Sequence, residues 1–448
     1  MNVCRLNFSH GTHEEHAEFI KRIRDVKEKT GEPLAILQDL QGPKIRVGEL
    51  PPEGVVLQDG VDIIFTTGKA ILPKKLPVTY AELHKDVKVG QSILLDDGLL
   101  MVKVKEVKGK DVICEVIHGG KLTSHKGMNL PETVTSISAV SDKDREDLRF
   151  GVEQGVDWVA LSFVRTADDI RGLRAMIAED EALLGLKPEA PIRIIAKIEK
   201  PEAITNIDAI IEAADGIMVA RGDLGIEVPA AKVPVYQKEI IAKCLRAAKP
   251  VIVATQMLDS MIHNPRATRA EISDIANAVF DHADATMLSG ETANGSYPVE
   301  AVKTMAATIR EAESSVYDDL SVSVYRDSDS EAAATNIANV LVHASKAKAI
   351  CVSSLSGQGA KLVSRYRPEL PIFVGTPSAR VLAQLNLSWG VYPFQVPVCK
   401  TMAELLTTST DYLVAQKYLT KDDQMIVVAG EPLGHSGFIN LVELRKVV

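Results

Sequence analysis

No apolar run in this chain lasts longer than a single strand. Each is cut by a charge or a glycine within about eight residues, far short of the ~20 needed to cross a bilayer. None has the charged, then apolar, then small-residue order of a signal peptide, so no membrane association is expected and a cytoplasmic protein is the default. The five cysteines, Cys4, Cys114, Cys244, Cys351 and Cys399, follow no metal-ligand spacing and read as isolated thiols in a reducing compartment. A basic stripe is also missing. With a formal charge of −9, nucleic acid is not an expected partner, and an anionic substrate would need local lysines and arginines. There is no Walker A sequence and no GxGxxG fingerprint. A nucleotide would therefore be held through its metal-phosphate portion and isolated basic residues such as His10, Arg46 and Lys143. Tandem repeats, heptads and low-complexity tracts are absent too.

What is present is ordinary globular composition, 46% hydrophobic and 25% charged over 448 residues, enough for two or three domains. The chain is organised around Ile192–Gly225, IRIIAKIEKPEAITNIDAIIEAADGIMVARGDLG. Two apolar strands, Ile192–Ile198 and Gly216–Ala220, flank a helical pattern, as in a parallel βα unit. One strand ends in Lys197 and Glu199, the next in Arg221, Gly222 and Asp223. Both carboxylates then lie at the strand ends where α/β folds carry their chemistry. A divalent cation is the simplest charge to lie between them, with Lys197 as a fixed cation at the same mouth.

Taken in order, Met1–Phe8 reads as a strand and Ser9-His10-Gly11 as a turn. Thr12 and Glu15 form a capping box for a helix to about Thr30, and Pro33–Leu40 is the next strand. After Gly42-Pro43 short alternating strands at Gly54–Leu57, Val61–Thr66, Gln91–Leu95 and Leu99–Val107 are separated by Asp-Gly, Asp-Asp-Gly and Lys-Gly-Lys turns. This is an all-β insertion, either decorative or a lid on a barrel-top loop. The βα rhythm resumes with a helix at Asp142–Gln154 capped by Ser141. Strands follow at Trp158–Phe163, Ile192–Ile198, Gly216–Ala220, Val251–Thr255 and Ala285–Leu288. Helices are expected at 166–182, 201–213, 231–248, 269–281 and 298–317. Beyond the polar linker Tyr325–Ser330, a second α/β unit has strands at Ala349–Ser353, Ile372–Gly375, Tyr392–Gln395 and Met425–Ala429, with Asn440–Val447 as an edge.

The expected domains are 1–42 with 142–325, 43–141, and 331–448. The first is a TIM-type (β/α)8 barrel whose first strand lies outside this chain, because seven parallel strands leave open edges. Either the initiating methionine is misassigned or the protein is shortened.

Arg5, Asn7 and Ser9 alternate and should point one way. Asp39, Lys197, Glu199, Asp223, Thr255, Ser289 and Glu291 follow at successive strand tops. Any one of these could equally be a cap or a rim salt bridge, but their convergence favours a site. Arg5 and Lys197 suit an anion, and Glu199 and Asp223 suit a metal that acts as Lewis acid and template. Thr255 is too weak a base alone and suits proton relay or oxygen positioning. The Arg221–Leu224 turn offers backbone N–H groups for a carboxylate.

The segments MNVCRLNFSHG, DLQGPKIR, SDKD, LSFVR, IAKIEKPEAI, MVARGDLGIEVP, ATQMLDSMIHNPRATRAEISDIANAVFD and MLSGETANGSYPVEAV resemble those of the pyruvate kinase family in order and over most of the chain. The C-terminal unit agrees in outline. The resemblance implies phosphoryl transfer from phosphoenolpyruvate to ADP, giving ATP and, after protonation of the enolate, pyruvate. It implies that Arg5 holds the substrate phosphate and that Lys197 neutralises the transferring group. Glu199 and Asp223 would bind one Mg²⁺, while a second arrives with the nucleotide. Gly222 and Thr255 would lie against substrate, Thr255 near the protonated face, with Ser289 and Glu291 in support. His10, Arg46 and Lys143 would lie near the nucleotide phosphates, and the β-insertion would be the lid. The alternatives are an Mg-dependent aldolase working through pyruvate enolate and a catalytically impaired, shortened regulatory homologue.

Two departures matter. Many family members need K⁺ at positions matching Asn7, Ser9, Asp39 and Leu40 and carry Glu where this chain has Lys44. DLQGPKIR resembles the branch that works without K⁺, since an ammonium can replace the monovalent charge. The family's effector loop matches Ser353, Ser354, Ser356, Gly357, Gln358 and Gly359, with Gly359 where Thr or Ser is commoner. A phosphorylated effector and a homotetramer are implied.

Overall fold

The computed structural model of the protein describes residues 1–320, 330–433 and 439–448. Most of the expected linker Tyr325–Ser330 lies outside them, as does the expected boundary at 325. Seven parallel strands form one sheet in chain order among the described residues: β1 (Val3–Asn7), β2 (Ala35–Asp39), β3 (Trp158–Leu161), β4 (Arg193–Ile198), β5 (Gly216–Ala220), β6 (Val251–Ala254) and β7 (Ala285–Thr286). Each connection carries at least one helix, which keeps successive strands parallel. The expected capping boxes at Thr12/Glu15 and Ser141/Asp144 are present.

Strands β2 to β6 are buried on both faces, which explains their near-continuous apolar runs, while the outer β1 and β7 are largely half-buried. Alternate residues divide between two clusters. Ile36, Val159, Ile194, Ala196, Ile217 and Val219 pack with residues of the surrounding helices such as Ile210, Ile240 and Ile275. Leu37, Trp158, Ala160, Ile195, Met218 and Ile252 form a separate inner cluster, joined by Ala383 and Leu387 of the C-terminal unit. That unit therefore meets the floor of the sheet, at the end opposite Asp39 and Lys197.

Between β2 and the helix Asp142–Glu153 lies the all-β insertion. It has a six-stranded sheet (Met128–Asn129, Ser92–Leu95, Leu100–Lys108, Asp111–His118, Asp62–Thr66 and Lys75–Pro77) and a two-stranded pair, Val55–Leu57 with Gly120–Leu122. It has its own core around Phe65, Leu76, Ile93, Val102 and Val112. The Asp-Asp-Gly turn has positive φ at Asp96, Asp97 and Gly98, as a tight hairpin requires. Its two stems are pinned together, since the Gly42 N–H donates to Asp144 Oδ1 at 3.0 Å. Gly42 has φ +71°, and a Cβ there would come within 2.9 Å of Ser162 and Phe163, so only glycine fits this joint.

The C-terminal sheet runs Val391–Gln395, Ile372–Thr376, Ala347–Ser353, Gln424–Ala429 and Leu441–Lys446, the last an antiparallel edge as expected. Three sequence expectations need correction. The helix expected over 201–213 is two pieces, Pro201–Thr205 and Ile207–Ala213, because Asn206 leaves the helical region. The last barrel helix ends at Glu313 instead of 317, and β7 is only two residues long, although the Met287 N–H still reaches Val253 O at 3.0 Å. No helix among the described residues is long and apolar enough to cross a membrane.

Candidate active site

The inner face of the sheet carries apolar residues near its floor and charge at its mouth. Asp39 shares the side-chain parity of Leu37, and Lys197 that of Ile195. Arg5 pairs with Leu37 and Asn7 with Asp39 in the β1–β2 register.

The charged ends meet. Arg5 Nε donates to Asp39 Oδ2 at 2.6 Å. The Lys197 ammonium lies 3.2 Å from Asp39 Oδ1 and 3.1 Å from Glu199 Oε1. It also donates to Ser162 Oγ at 2.7 Å, and that hydroxyl passes its own proton to Leu40 O at 2.7 Å. Burial alone would push the Asp39 carboxyl up, but Lys197 and Arg5 outweigh it and hold the group below the usual range. Burial alone would depress the Lys197 ammonium, yet Asp39 and Glu199 raise it above its ordinary value. It stays protonated, a fixed positive charge in a low-dielectric mouth.

Glu199 behaves differently. It is buried, accepts the Phe163 N–H at 2.7 Å, and is raised above the usual carboxylate range. Burial is the main cause; the charge of Asp223 adds to it, while Lys197 opposes it. Asp223, half-buried at the start of the helix Arg221–Glu227, makes no hydrogen bond or ion pair among the described residues. Two carboxylates that repel, one without a protein partner, fit a hard divalent cation. No group of three or more metal-ligating side chains occurs among the described residues. Two protein carboxylates leave most of an octahedral shell to substrate oxygens and water, the usual Mg²⁺ arrangement.

Thr255 lies just past β6 with φ +71°, a strained conformation for a β-branched residue. Its hydroxyl donates to Ala254 O at 2.6 Å and accepts the Gly222 N–H at 2.8 Å. This modifies the expected carboxylate cradle, because the Gly222 amide is already engaged. Arg221 reaches Asp274 at 2.7 Å and Thr255 O at 2.8 Å and so braces the strained turn. Ser289 precedes the short helix Gly290–Ala293 after β7, and Glu291 lies in its first turn. Glu291 accepts the Leu258 and Ser289 N–H groups at 3.1 and 2.7 Å, an internal staple of two loops.

Ser9 does not continue the alternation of Arg5 and Asn7. The chain turns after Asn7, whose Oδ1 accepts the Ser9 N–H at 3.1 Å. Lys143 donates to Phe8 O at 2.7 Å and pairs with Asp147, which also meets His13. His10 is exposed on the adjacent turn, so these two basic residues share one rim. Arg46 belongs to the β-insertion and donates to His125 O at 2.9 Å. Lys44 forms no ion pair among the described residues. Its Cε lies 3.6 Å from where a Cβ on Gly127 would stand, so its stem runs along the insertion. In the expected effector loop, Ser354 Oγ accepts the Gly357 N–H at 2.9 Å and Ser356 Oγ accepts that of Gln358 at 3.4 Å. A Cβ on Gly359 would meet Ile439 at 2.7 Å, which accounts for glycine there.

Sequence reasoning missed Ser162, although it directly follows an apolar strand. It also missed the clasp between insertion and barrel: Asn129 Nδ2 donates to the buried Glu227 Oε1 at 2.8 Å, and Lys200 meets the same oxygen at 2.6 Å.

Comparison with known proteins adds to this geometry. Residues 1–302 match the family model described as pyruvate kinase, barrel domain, and residues 331–444 the pyruvate kinase alpha/beta domain. A pyruvate kinase of Clostridium acetobutylicum is 43% identical over 452 residues, covering 100% of this chain and 94% of the relative. One of Geobacillus stearothermophilus is 42% identical over 454 residues, covering 100% and 76%. One of Clostridium perfringens is 41% identical over 456 residues, covering 100% and 94%.

Proposed function

Since the chain belongs to the pyruvate kinase family, phosphotransferases that act on phosphoenolpyruvate and ADP, we propose how its own residues divide that reaction. The observation that carries the assignment is the Lys197 ammonium, 3.1 Å from Glu199 and 3.2 Å from Asp39, beside the unpartnered Asp223. The aldolase reading lapses with the family assignment.

In this proposal Arg5 and Lys197 hold the phosphate of phosphoenolpyruvate, and Lys197 offsets the charge that moves with the phosphoryl group. The bond from phosphorus to the enol oxygen breaks as one forms to the β-phosphate oxygen of ADP. Positioning and charge neutralisation carry most of such a transfer. Glu199 and Asp223 hold Mg²⁺, which supplies Lewis-acid stabilisation of substrate oxygens; a second Mg²⁺ comes with the nucleotide. Gly222 and Thr255 border the substrate, and Thr255 directs a proton to the enolate carbon, giving pyruvate. Ser289 and Glu291 keep the neighbouring loops in place. His10, Lys143 and Arg46 receive the nucleotide phosphates, the last from a lid spanning 43–141 that closes over a barrel of 1–42 and 142–325. Coupled pyruvate formation with Glu199→Gln and Asp223→Asn tests the metal assignment: the Mg²⁺ requirement should rise at least tenfold in each, and an unchanged requirement would refute it.

The proposal extends to K⁺-independent activity, supported by Lys44 in DLQGPKIR. Rates in K⁺-free buffer check it; a loss of about a hundredfold (~2.7 kcal/mol) restored by K⁺ would rule it out. Cytoplasmic location, a homotetramer built with the 331–448 unit and a phosphorylated effector at Ser353–Gly359 belong to the same reading. Sedimentation and effector titration address the last two.

A further inference from the structure

Below the catalytic mouth, where the barrel floor meets the C-terminal unit, a small cleft opens between the helix Val233–Arg246, the segment that follows it, and the helix Gln358–Ser364. Among the described residues its lining carries Lys249, Lys361 and Arg367, beside Arg365, which is engaged elsewhere, and one carboxylate, Asp284. That carboxylate is already engaged. It meets Arg367 at 3.2 Å and accepts the Val251 and Trp389 N–H groups at 3.0 Å each. The Lys249 ammonium donates to the carbonyl of Ala214 at 2.6 Å, and Asp215 nearby only partly offsets the cost of burying its charge.

Lys361 is the unusual member. It is 7% exposed, yet it forms no hydrogen bond or ion pair among the described residues. The Nε of Arg367, equally buried, also has no partner among them. A buried cation that lacks a counter-charge is strongly unfavourable, and buried donors are normally satisfied. The ammonium of Lys361 is accordingly driven well below its ordinary value, by burial first and then by Arg193 and Lys249. Asp215 and Asp284 oppose this only weakly. The enclosed space is only about 10 Å³, room for about one water, so an occupant would reach Lys361 with a small terminal group held at the open mouth.

We propose that this cleft binds a single phosphate-type oxyanion, free or as the terminal group of a phosphorylated metabolite, with Lys361 as its principal ligand. The site is separate from the expected effector loop Ser353–Gly359, whose Ser354 and Ser356 hydroxyls accept that loop's own amides. An occupant would tie the barrel floor to the C-terminal unit through charges contributed by both.

The test uses the full chain, with thermal unfolding and calorimetry at constant ionic strength. Inorganic phosphate and glycerol phosphate serve as probes, and chloride as the reference. Saturating phosphoenolpyruvate with Mg²⁺ keeps the catalytic mouth filled. Phosphate should raise the unfolding temperature of the wild type. Lys361→Met should weaken that response by at least ~10-fold in affinity, and Lys361→Arg should retain it. Lys361→Met should also unfold at a higher temperature than wild type without phosphate, because the uncompensated charge is gone. Sulfate, which does not titrate near neutrality, should bind more weakly as pH rises and Lys361 loses its proton. Equal binding of both phosphate probes assigns the site to terminal phosphoryl groups, and preference for inorganic phosphate assigns it to the free ion. Wild-type stability indifferent to phosphate, or a Lys361→Met variant that responds like wild type, would overturn the proposal.

Discussion

Lys197 and Asp39 stand on strands that are not neighbours, yet their charged ends meet at 3.2 Å across β3. The strand between them contributes Ser162 at its end, and that hydroxyl takes a hydrogen bond from the same ammonium at 2.7 Å. Three strands thus fix one positive charge, with Glu199 on its other side. A charge held this way needs no reorganisation when negative charge develops beside it, which is what makes preorganised electrostatics effective.

Lys197→Met should lower kcat/KM by about a thousandfold or more, the scale of losing one preorganised donor. It should also destabilise the fold by about 3 kcal/mol, the low end for breaking a buried pair, because Arg5 still compensates Asp39. Coupled pyruvate formation and thermal unfolding on the same preparation check both parts.

Glu199 is raised above the usual carboxylate range by burial and then by Asp223, with Lys197 opposing. Its protonated form cannot ligate a metal, so activity at limiting Mg²⁺ should fall as pH drops through that raised value. A bound cation favours the ionised carboxylate, so raising Mg²⁺ should move this acid limb to lower pH. Rate profiles between pH 5 and 8 at two Mg²⁺ concentrations decide; an acid limb indifferent to Mg²⁺ would refute the link.

Asp157 and Asp39 should contribute to stability with opposite sign. The Asp157 carboxyl is pushed up to about 6 by burial, against the Ile36 N–H it accepts. Its folded form prefers the proton. Stability from this group is greatest below the unfolded value near 3.9 and is lost as pH rises through about 6, by up to about 3 kcal/mol. Asp157→Asn should remove that decline and raise the unfolding temperature at pH 8. Asp39, held low, contributes stability above its unfolded value that disappears as pH falls through the folded one.

Asn129→Ala should loosen the insertion without touching the substrate. Its amide reaches the buried Glu227, which keeps Lys200 as a counter-ion. The KM for phosphoenolpyruvate should rise several-fold, with a stability loss of only about 1 kcal/mol, the worth of one hydrogen bond. Steady-state kinetics would refute the clasp if KM were unchanged.

The sequence made much of this legible because the barrel strands are short apolar runs that end abruptly in charge. Lys197, Glu199 and Asp39 could be placed at one mouth from their positions at the ends of successive strands. Asn206 splits a helix that the apolar pattern carries straight through, since periodicity is blind to a single backbone excursion. Ser162 escaped notice because it fell inside the expected strand Trp158–Phe163, where a lone serine carries no signal of its own. Only the lateral approach of Lys197 reveals its part. The Asn129–Glu227 clasp joins positions on separately folded units, and no local pattern encodes such a contact. The same holds for Lys361, which nothing in the sequence places inside; its burial appears only in the fold.

The Gly42–Asp144 stitch has a consequence for how the insertion can be handled. With entry and exit fastened side by side, the barrel experiences everything between them as a loop of almost no span. A short hairpin grafted across the same stitch should therefore leave a barrel that still folds, though one without its cover.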